Sequence, residues 1–341
     1  QLGQHVVLSL PITGNCGWRV AVSGWEPQWG KICFISRPFS FPTANRSPPT
    51  PASLLAILSP FSTLSFMRCL LPLLAFATVF AADAPAPLRV FLRCGPKTHG
   101  PGDHDHPAFA RDWQPILKQA GMKVSVGDAD VKGVQTFPSD EELARTDVLV
   151  IHRQGGGDFK PDERARVAKF AARGGSFVVI HAGAVAGNDA SADFYKDLVG
   201  GSWRQKVTKW REGPMQLSFV DKEHAITKAV ADFGMKDEIY YDMDLRADIH
   251  PLATAPTPKK VGDGFEAQTQ LWTYEKPGAQ RAFVFIPGHT YANFSRPDVK
   301  LLLFRGIAWA GRHANPAAFD QAASLQICVF PVPPSTEPEK K

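Results

Sequence analysis

Four short apolar runs that end near histidines constrain the fold of this chain more than any other feature. The runs cover residues 88–92, 148–151, 177–180 and 282–286. The histidines that follow them are His99, His104, His106, His152, His181 and His289. Continuous apolar runs that alternate with helical patterns are typical of strands covered on both faces of a sheet. Because ligand sites form at the carboxyl ends of parallel strands, we expect these imidazoles to meet at one edge.

The order of strands and helices predicts an α/β fold. Helical patterns cover residues 109–120 and begin again at Ser139, where a capping box opens a short helix. Pro161 stands early in the next helical pattern, a position that tolerates proline. We therefore predict a doubly wound, mostly parallel sheet with helices on both faces. Residues 270–274 and 281–286 flank a Lys-Pro-Gly turn, which predicts an antiparallel pair.

Residues 67–82 have the pattern of a secretory signal peptide. Met67 and Arg68 give a short basic start, an apolar stretch follows, and small residues precede a cleavage position near Ala82. The stretch is shorter than the about 20 apolar residues that a membrane-spanning helix needs. We therefore expect an exported protein, periplasmic or secreted, with no membrane attachment after cleavage.

The segments on either side of the predicted domain differ from it in composition. Residues 1–66 are rich in proline and serine without a clear period, and we interpret them as non-native upstream sequence or a disordered extension. Residues 83–313 form the predicted domain. The tail, residues 314–341, ends in Glu-Pro-Glu-Lys-Lys, and we expect it to be loosely ordered.

Composition argues against several partners and cofactors. Outside residues 1–82 the chain holds 33 basic and 32 acidic side chains, so we expect no basic surface that attracts nucleic acid. Of the five cysteines only Cys94 and Cys328 lie there, and without a CxxC pair we expect no thiolate metal site. The glycines at 155–157 lack the Lys-Ser/Thr of a phosphate-binding loop, so we expect no nucleotide cofactor.

An ordered set of short segments resembles the ThuA-like (trehalose utilisation) family. The segments cover residues 98–107, 174–182, 194–201, 237–240, 287–290 and 306–310. The resemblance extends over about residues 88–311, so residues 83–313 are identified as a ThuA-like domain. It implies a relative of the class I glutamine amidotransferase fold, with a flavodoxin-like arrangement of strands and helices.

The comparison with amidotransferases bears on the chemistry. In that fold a strand ends in a tight elbow that carries the nucleophilic cysteine, and a later strand supplies a histidine. Here His181 takes the place of the cysteine, and His289 takes the place of the later histidine. Because an imidazole replaces the thiolate, the resemblance implies that the chain is not a glutamine amidotransferase.

Two geometries would give these histidines a function. The neutral imidazoles of His152, His181 and His289 would hold a divalent metal such as zinc or manganese if they converged. Alternatively, His181 and His289 act with Glu238 as catalytic acids and bases on a sugar hydroxyl, since histidine titrates near neutral pH. The residue types leave both geometries open.

Substrate-binding candidates lie in loops near the strand ends and in the family-like Asp-Glu-Ile-Tyr segment. They are His104, Asp105, His106, Gln154 and Tyr240. For Trp203, Trp210 and Trp272 we prefer core packing to sugar stacking.

The resemblance implies a role in carbohydrate utilisation, with trehalose, another disaccharide or a keto-glycoside as the small-molecule partner. The implied reaction is metal-assisted or acid/base hydrolysis, elimination or isomerisation. The alternative is a non-catalytic sugar-binding protein on a degenerate amidotransferase scaffold, because fold alone does not decide function. The sequence leaves homo-oligomerisation open.

Overall fold

The computed structural model describes residues 86–127 and 136–326. The predicted signal peptide at 67–82, the segment 1–66 and Cys328 lie outside these residues. Among the helices that are described, none combines the length and the apolar composition that crossing a membrane requires.

The first half of the described chain alternates strands and helices, as predicted. Its elements are β1 (Arg89–Cys94), α1 (His106–Gln119), β2 (Lys123–Val126), α2 (Asp140–Ala144), β3 (Val148–His152), α3 (Pro161–Ala172), β4 (Ser176–Ile180) and α4 (Asp189–Val199). The Ser139 capping box that opens α2 is present, with both of its hydrogen bonds, and Pro161 is the first residue of α3. Local capping chemistry therefore determines where these helices begin.

The second half is dominated by long strands. Its elements are β5 (Gly201–Ser202), β6 (Lys209–Phe219), β7 (Phe233–Tyr241), β8 (Asp244–Leu245), β9 (His250–Pro258), β10 (Phe265–Glu275), β11 (Arg281–Phe285) and α5 (Pro297–Ala310). The antiparallel pair of β10 and β11 was predicted. The strand β7 was not predicted, because its central residues are charged.

The main sheet has nine strands in the order β2-β1-β3-β4-β11-β10-β9-β6-β7. The strands from β2 to β11 pair in parallel, whereas those from β11 to β7 pair antiparallel. The α/β class is therefore confirmed, but the sheet is mixed rather than mostly parallel. The antiparallel half arises because short turns, and no crossover helix, connect strands such as β10 and β11.

Two separate cores cover the two faces of the parallel strands. Val150 and Ile180 point to one face and pack with side chains of α1 and α5, whereas Leu149 and Val179 point to the other face and pack with α3 and α4. The alternation follows from the period of two along each strand. Burial on both faces explains why these strands are continuous apolar runs.

Of the predicted tail, residues 314–341, the structure describes residues 314–326. Residues 316–324 form a 3-10 helix whose Ala322 and Ala323 are buried. The Arg305 guanidinium of α5 makes a two-pronged ion pair with Asp320, at 2.7 Å for each contact. This pairing explains why part of the segment 314–341 is ordered, since a bidentate arginine–carboxylate contact fixes both groups. Residues 327–341 lie outside the described chain.

Candidate metal centre and sugar cleft

The elbow after β4 positions His181. The backbone of His181 is left-handed, with φ of 49°, and the residue opens a 3-10 helix that runs to Ala184. A non-glycine residue in this region is uncommon and is typical of functional sites. The turn is tight, since a Cβ on Gly183 would lie 2.4 Å from the carbonyl oxygen of Ile151. Similarly, a Cβ on Gly156 would lie 2.1 Å from the carbonyl oxygen of Gly183, so the glycine loop at 155–157 permits a close backbone approach.

Four buried side chains bring their donor atoms together beside this elbow. They are His104, His181, Glu238 and His289, and one ligand atom from each lies within 4.8 Å of all the others. The Nε2 atom of His181 lies 2.9 Å from Nε2 of His104 and 3.0 Å from Oε2 of Glu238. The Nδ1 atom of His289 lies 3.2 Å from the same Glu238 oxygen. We call these four residues the His3Glu cluster.

The other ring nitrogens of His181 and His104 have hydrogen-bond partners, and that of His289 faces a carboxylate. Nδ1 of His181 donates to the carbonyl oxygen of Ile286 at 2.7 Å, so that Nε2 faces the other members of the cluster. Nδ1 of His104 lies 3.1 Å from the Thr98 hydroxyl, and Nε2 of His289 lies 3.7 Å from Oδ1 of Asp103. Metal-binding histidines are typically oriented by such partners.

Asp237 holds the loop that carries His289. Its buried carboxylate accepts hydrogen bonds from the backbone N–H groups of Gly288, His289 and Thr290 at 2.9–3.1 Å. It also accepts one from the Asn293 amide at 2.9 Å. Asp237, the residue next to Glu238, therefore fixes the position of a second member of the cluster.

The electrostatics of the cluster favour a neutral His104 and an ionised Glu238. Burial and the surrounding imidazoles lower the pKa of His104 to about 2. Burial opposes ionisation of Glu238, but hydrogen bonds with His181 and His289 outweigh it and lower the pKa of Glu238 to about 2. Burial would lower the pKa of His289, but its hydrogen bond to Glu238 and the nearby charges of Glu238 and Asp103 raise that pKa overall.

The donor set of the His3Glu cluster fits a divalent metal. Three imidazoles and one carboxylate are ligands that zinc and manganese accept. Ligand atoms about 2.0–2.1 Å from a tetrahedral ion lie about 3.3 Å from one another. Three contacts of 2.9–3.2 Å in the cluster are close to that spacing, whereas Nε2 of His104 lies 4.0 Å from Oε2 of Glu238 and the whole set spans up to 4.8 Å.

His152, a predicted metal ligand, lies outside the cluster. Its ring packs against the rings of His106, Phe109 and Phe294, with centroid distances of 4.7, 4.8 and 5.2 Å. The physical reason is that His152 is still part of β3, so its side chain follows the strand alternation toward α1. His181 lies one residue beyond its strand and is redirected by the elbow.

Two of the predicted substrate-binding residues have structural contacts instead. Asp105 caps α1 by accepting a hydrogen bond from the N–H of Ala108 at 3.2 Å. His106 is fully buried, and its Nδ1 donates to the carbonyl oxygen of Pro96 at 2.8 Å. His104, predicted to bind substrate, is instead a member of the donor set.

A cleft of about 550 Å³ opens from the cluster. Besides His104, Glu238 and His289, its lining includes His99, Asp103, Gln154, Trp203, Gln205, Trp210, Glu212 and Tyr240. Tyr240 stacks on His181 with a centroid distance of 4.7 Å, and its hydroxyl lies 3.2 Å from Nε2 of that residue. Volume and mixed lining are typical of small-molecule sites.

The sequence interpretation missed part of this lining. Trp210 is 57% exposed and faces the cleft, so the preference for core packing was wrong there, although Trp272 is fully buried. Gln205 and Glu212 were not considered. The alternation of β6 could have indicated Trp210 and Glu212, because they share a face and stand opposite Tyr240 and Glu238 on β7.

Comparisons with known proteins agree with the sequence resemblance. A family model described as "ThuA: Trehalose utilisation" matches residues 96–310. A ThuA-like protein from Bacteroides uniformis is 20% identical, with a TM-score of 0.51 over 69% of this chain and 98% of that protein. A cytoplasmic protein from Salmonella typhimurium is 14% identical, with a TM-score of 0.43 over 66% of this chain and 98% of that protein. No curated protein matches the chain.

Proposed function

Since the chain belongs to the ThuA family, described as trehalose utilisation, we propose that it is a carbohydrate-active enzyme that uses a divalent metal. The proposed ligands are the four residues of the His3Glu cluster. The proposed substrates are disaccharides or other glycosides, including their keto forms, and the proposed reaction is hydrolysis, elimination or isomerisation.

One observation carries this proposal. The donor atoms of four buried side chains converge beside a cleft that is lined by aromatic and hydrogen-bonding groups. Buried imidazoles and a carboxylate that served only packing would not need to place their donor atoms within 4.8 Å of one another. Such an arrangement in a cleft is a typical functional-site signature.

The residues around the cluster suit chemistry on a sugar. A divalent metal held by the cluster would supply Lewis-acid polarisation of a carbonyl or hydroxyl oxygen. Tyr240 keeps its proton because burial raises its pKa well above the ordinary value, so its hydroxyl is a hydrogen-bond donor in the cleft. Asp103 lines the same cleft and offers a carboxylate that accepts hydrogen bonds or a proton. A keto group acidifies the neighbouring C–H, so a positioned base suffices for elimination or isomerisation.

A metal-free acid/base mechanism is the second candidate, and the raised pKa of His289 favours it. In this mechanism protonated His289 donates its proton to the leaving oxygen as the glycosidic C–O bond breaks, and a water molecule that gives its proton to the Asp103 carboxylate forms the new C–O bond. Glu238, 3.2 Å from Nδ1 of His289, stabilises the protonated ring. The two candidates differ in whether the cluster holds an ion.

Metal content of the purified protein separates them. We expect near-stoichiometric zinc or manganese by plasma mass spectrometry after purification without chelators. His181→Ala, Glu238→Gln and His289→Ala should each lose most of the ion, whereas His313→Ala, a change at a half-buried histidine outside the donor set, should retain it. Turnover of trehalose and of its keto form, followed by NMR, should fall with metal content.

Other results would redirect the proposal. Metal-free wild-type protein that still turns over a sugar would support the acid/base candidate. Sugar binding without turnover, with or without metal, would support the non-catalytic binding protein instead.

A further inference from the structure

The β6–β7 ribbon forms one wall of the cleft and presents two cross-strand pairs to it. Trp210 stands opposite Tyr240, and Glu212 stands opposite Glu238. The β7 members are buried and contact the cluster, since the Tyr240 hydroxyl and Glu238 Oε2 lie 3.2 and 3.0 Å from Nε2 of His181. Trp210 and Glu212 on β6 are more exposed than their partners on β7. We therefore call Tyr240 and Glu238 the inner pair of this wall, and Trp210 and Glu212 the outer pair.

We propose that the outer pair, Trp210 and Glu212, is a second sugar subsite that binds the distal ring of an uncharged disaccharide. This inference rests on the proposed function, because the inner pair and the cluster would hold the reacting ring. The outer pair would then make the site selective for a disaccharide over a monosaccharide.

Trp210 supplies an aromatic face to this subsite. It is 57% exposed, whereas Trp113 and Trp272 are fully buried. An exposed indole combines a large apolar face with a polar N–H, which suits a sugar ring that has apolar C–H faces and polar edges. A large exposed aromatic that lines a cleft therefore indicates a binding role more than a packing role.

Glu212 supplies a hydrogen-bond acceptor beside the indole. Directly opposite residues of antiparallel strands have Cβ atoms about 4.5–5.5 Å apart, which places Glu212 next to Glu238. It is not a member of the donor set, so it would stay available for sugar hydroxyls. Its contact with the exposed Lys236 is long, at 3.8 Å, and such surface pairs contribute little.

The charge of the lining favours an uncharged ligand. The described lining includes the carboxylates of Asp103, Glu212 and Glu238 and no lysine or arginine. Lys97, near the rim, donates to the backbone carbonyl oxygens of Gly100 and Asp103 at 2.7 Å each. A phosphate on the ring that fills the outer pair would therefore meet the Glu212 carboxylate, and the described lining offers it no lysine or arginine there.

Calorimetric titration of the purified protein tests the subsite with three probes: α,α-trehalose, methyl α-glucoside and trehalose 6-phosphate. We expect Trp210→Ala and Glu212→Gln each to weaken trehalose binding by about tenfold, as the loss of one good aromatic or hydrogen-bonding contact does. Binding of methyl α-glucoside should change less than about twofold, because one ring fills only the inner position. Trehalose 6-phosphate should bind more weakly than trehalose.

Two control variants match the two changes. Phe265→Ala removes another exposed aromatic side chain that lies outside the cleft, and Glu223→Gln removes an exposed carboxylate that also has a lysine neighbour. Both should bind trehalose like the wild type. Because Trp210 and Glu212 are largely exposed, their variants should also keep the wild-type circular dichroism spectrum.

The outcomes distinguish failure of the subsite from failure of the proposed function. If trehalose binds the wild type and neither variant weakens it, or if both variants weaken the two neutral sugars equally, the second subsite is refuted and the sugar function survives. If neither neutral sugar binds the wild type, the proposed function and the subsite both fail.

Discussion

The buried imidazoles near the cleft predict that the metal-free protein loses stability steeply as the pH falls below 6.5. Burial lowers the pKa of His104 to about 2, that of His106 to about 4, and that of His152 well below its ordinary value. All three are therefore uncharged in the folded protein at pH 5, whereas the unfolded chain protonates them near pH 6.5. The unfolded state binds more protons, so the free energy of unfolding must decrease as the pH falls through 6.5.

The size of the effect follows from the number of protons. Each imidazole that is protonated only on unfolding contributes up to about 1.4 kcal/mol per pH unit. Between pH 6 and pH 5 the three together should remove about 3–4 kcal/mol. A loss of this size is a large part of the about 5–15 kcal/mol that stabilises a typical domain. The raised pKa of His289 acts in the opposite sense, contributing stability below pH 6.5 that is lost at higher pH as the ring deprotonates.

Urea titrations of chelator-treated protein at several values of pH between 5 and 7 measure this dependence. His152→Phe is the matched variant, since the surrounding rings of Phe109 and Phe294 accept an aromatic side chain without a titrating group. It should reduce the loss between pH 6 and pH 5 by about one third. An unchanged pH dependence in His152→Phe would refute the assignment of a neutral buried imidazole at this position.

Three further predictions concern the positioning of the site and the start of the chain. Asp237→Asn should lower metal affinity by at least about tenfold and destabilise the fold by about 1–3 kcal/mol, because a carboxylate that accepts four backbone N–H bonds is lost. Metal titration and urea unfolding measure the two effects, and wild-type affinity would contradict the positioning role. Gly183→Ala should destabilise the protein by about 1–3 kcal/mol or more in a urea unfolding assay, since the new Cβ would lie 2.4 Å from the Ile151 oxygen. Gly100→Ala is the control. Its new Cβ would lie 3.7 Å from the nearest atom, so its stability should be close to that of the wild type. Export remains a prediction from residues 67–82. N-terminal sequencing of the protein from the medium or periplasm should find a start near Asp83. Retention of residues 67–82 would contradict cleavage and export.

The apolar runs predicted the parallel half of the sheet well, because strands buried on both faces have little freedom in composition. They also placed His181 and His289 at the correct edge. They could not separate His181 from His152, since the difference lies in a left-handed backbone at one residue and a regular strand at the other. That difference is one of backbone conformation after the strand, which the amino-acid sequence alone indicates only weakly.

The strand β7 shows why the rest of the site was harder to predict. Its Asp237 and Glu238 are buried, and a strand with charged residues at its centre has no apolar alternation to reveal it. Glu238 entered the candidate list through the family resemblance, and Asp237 was missed as a positioning residue. Contacts with a loop that is distant in sequence offset the desolvation cost of both carboxylates. The periodicity of the sequence cannot reveal such contacts.

The origin of the four donors in distant parts of the chain has a consequence for biogenesis. His104 and His181 are 77 residues apart, and the remaining two donors come from β7 and from the loop after β11. Contacts between such distant residues form late, because long loops must close before any contact compensates for the lost entropy. A chain released only as far as β6 therefore has two of the donors and no complete chelate. If the proposed metal binds, all four donors are in place only once β7 and the loop after β11 have folded, so the metal would stabilise only the completely folded chain by mass action.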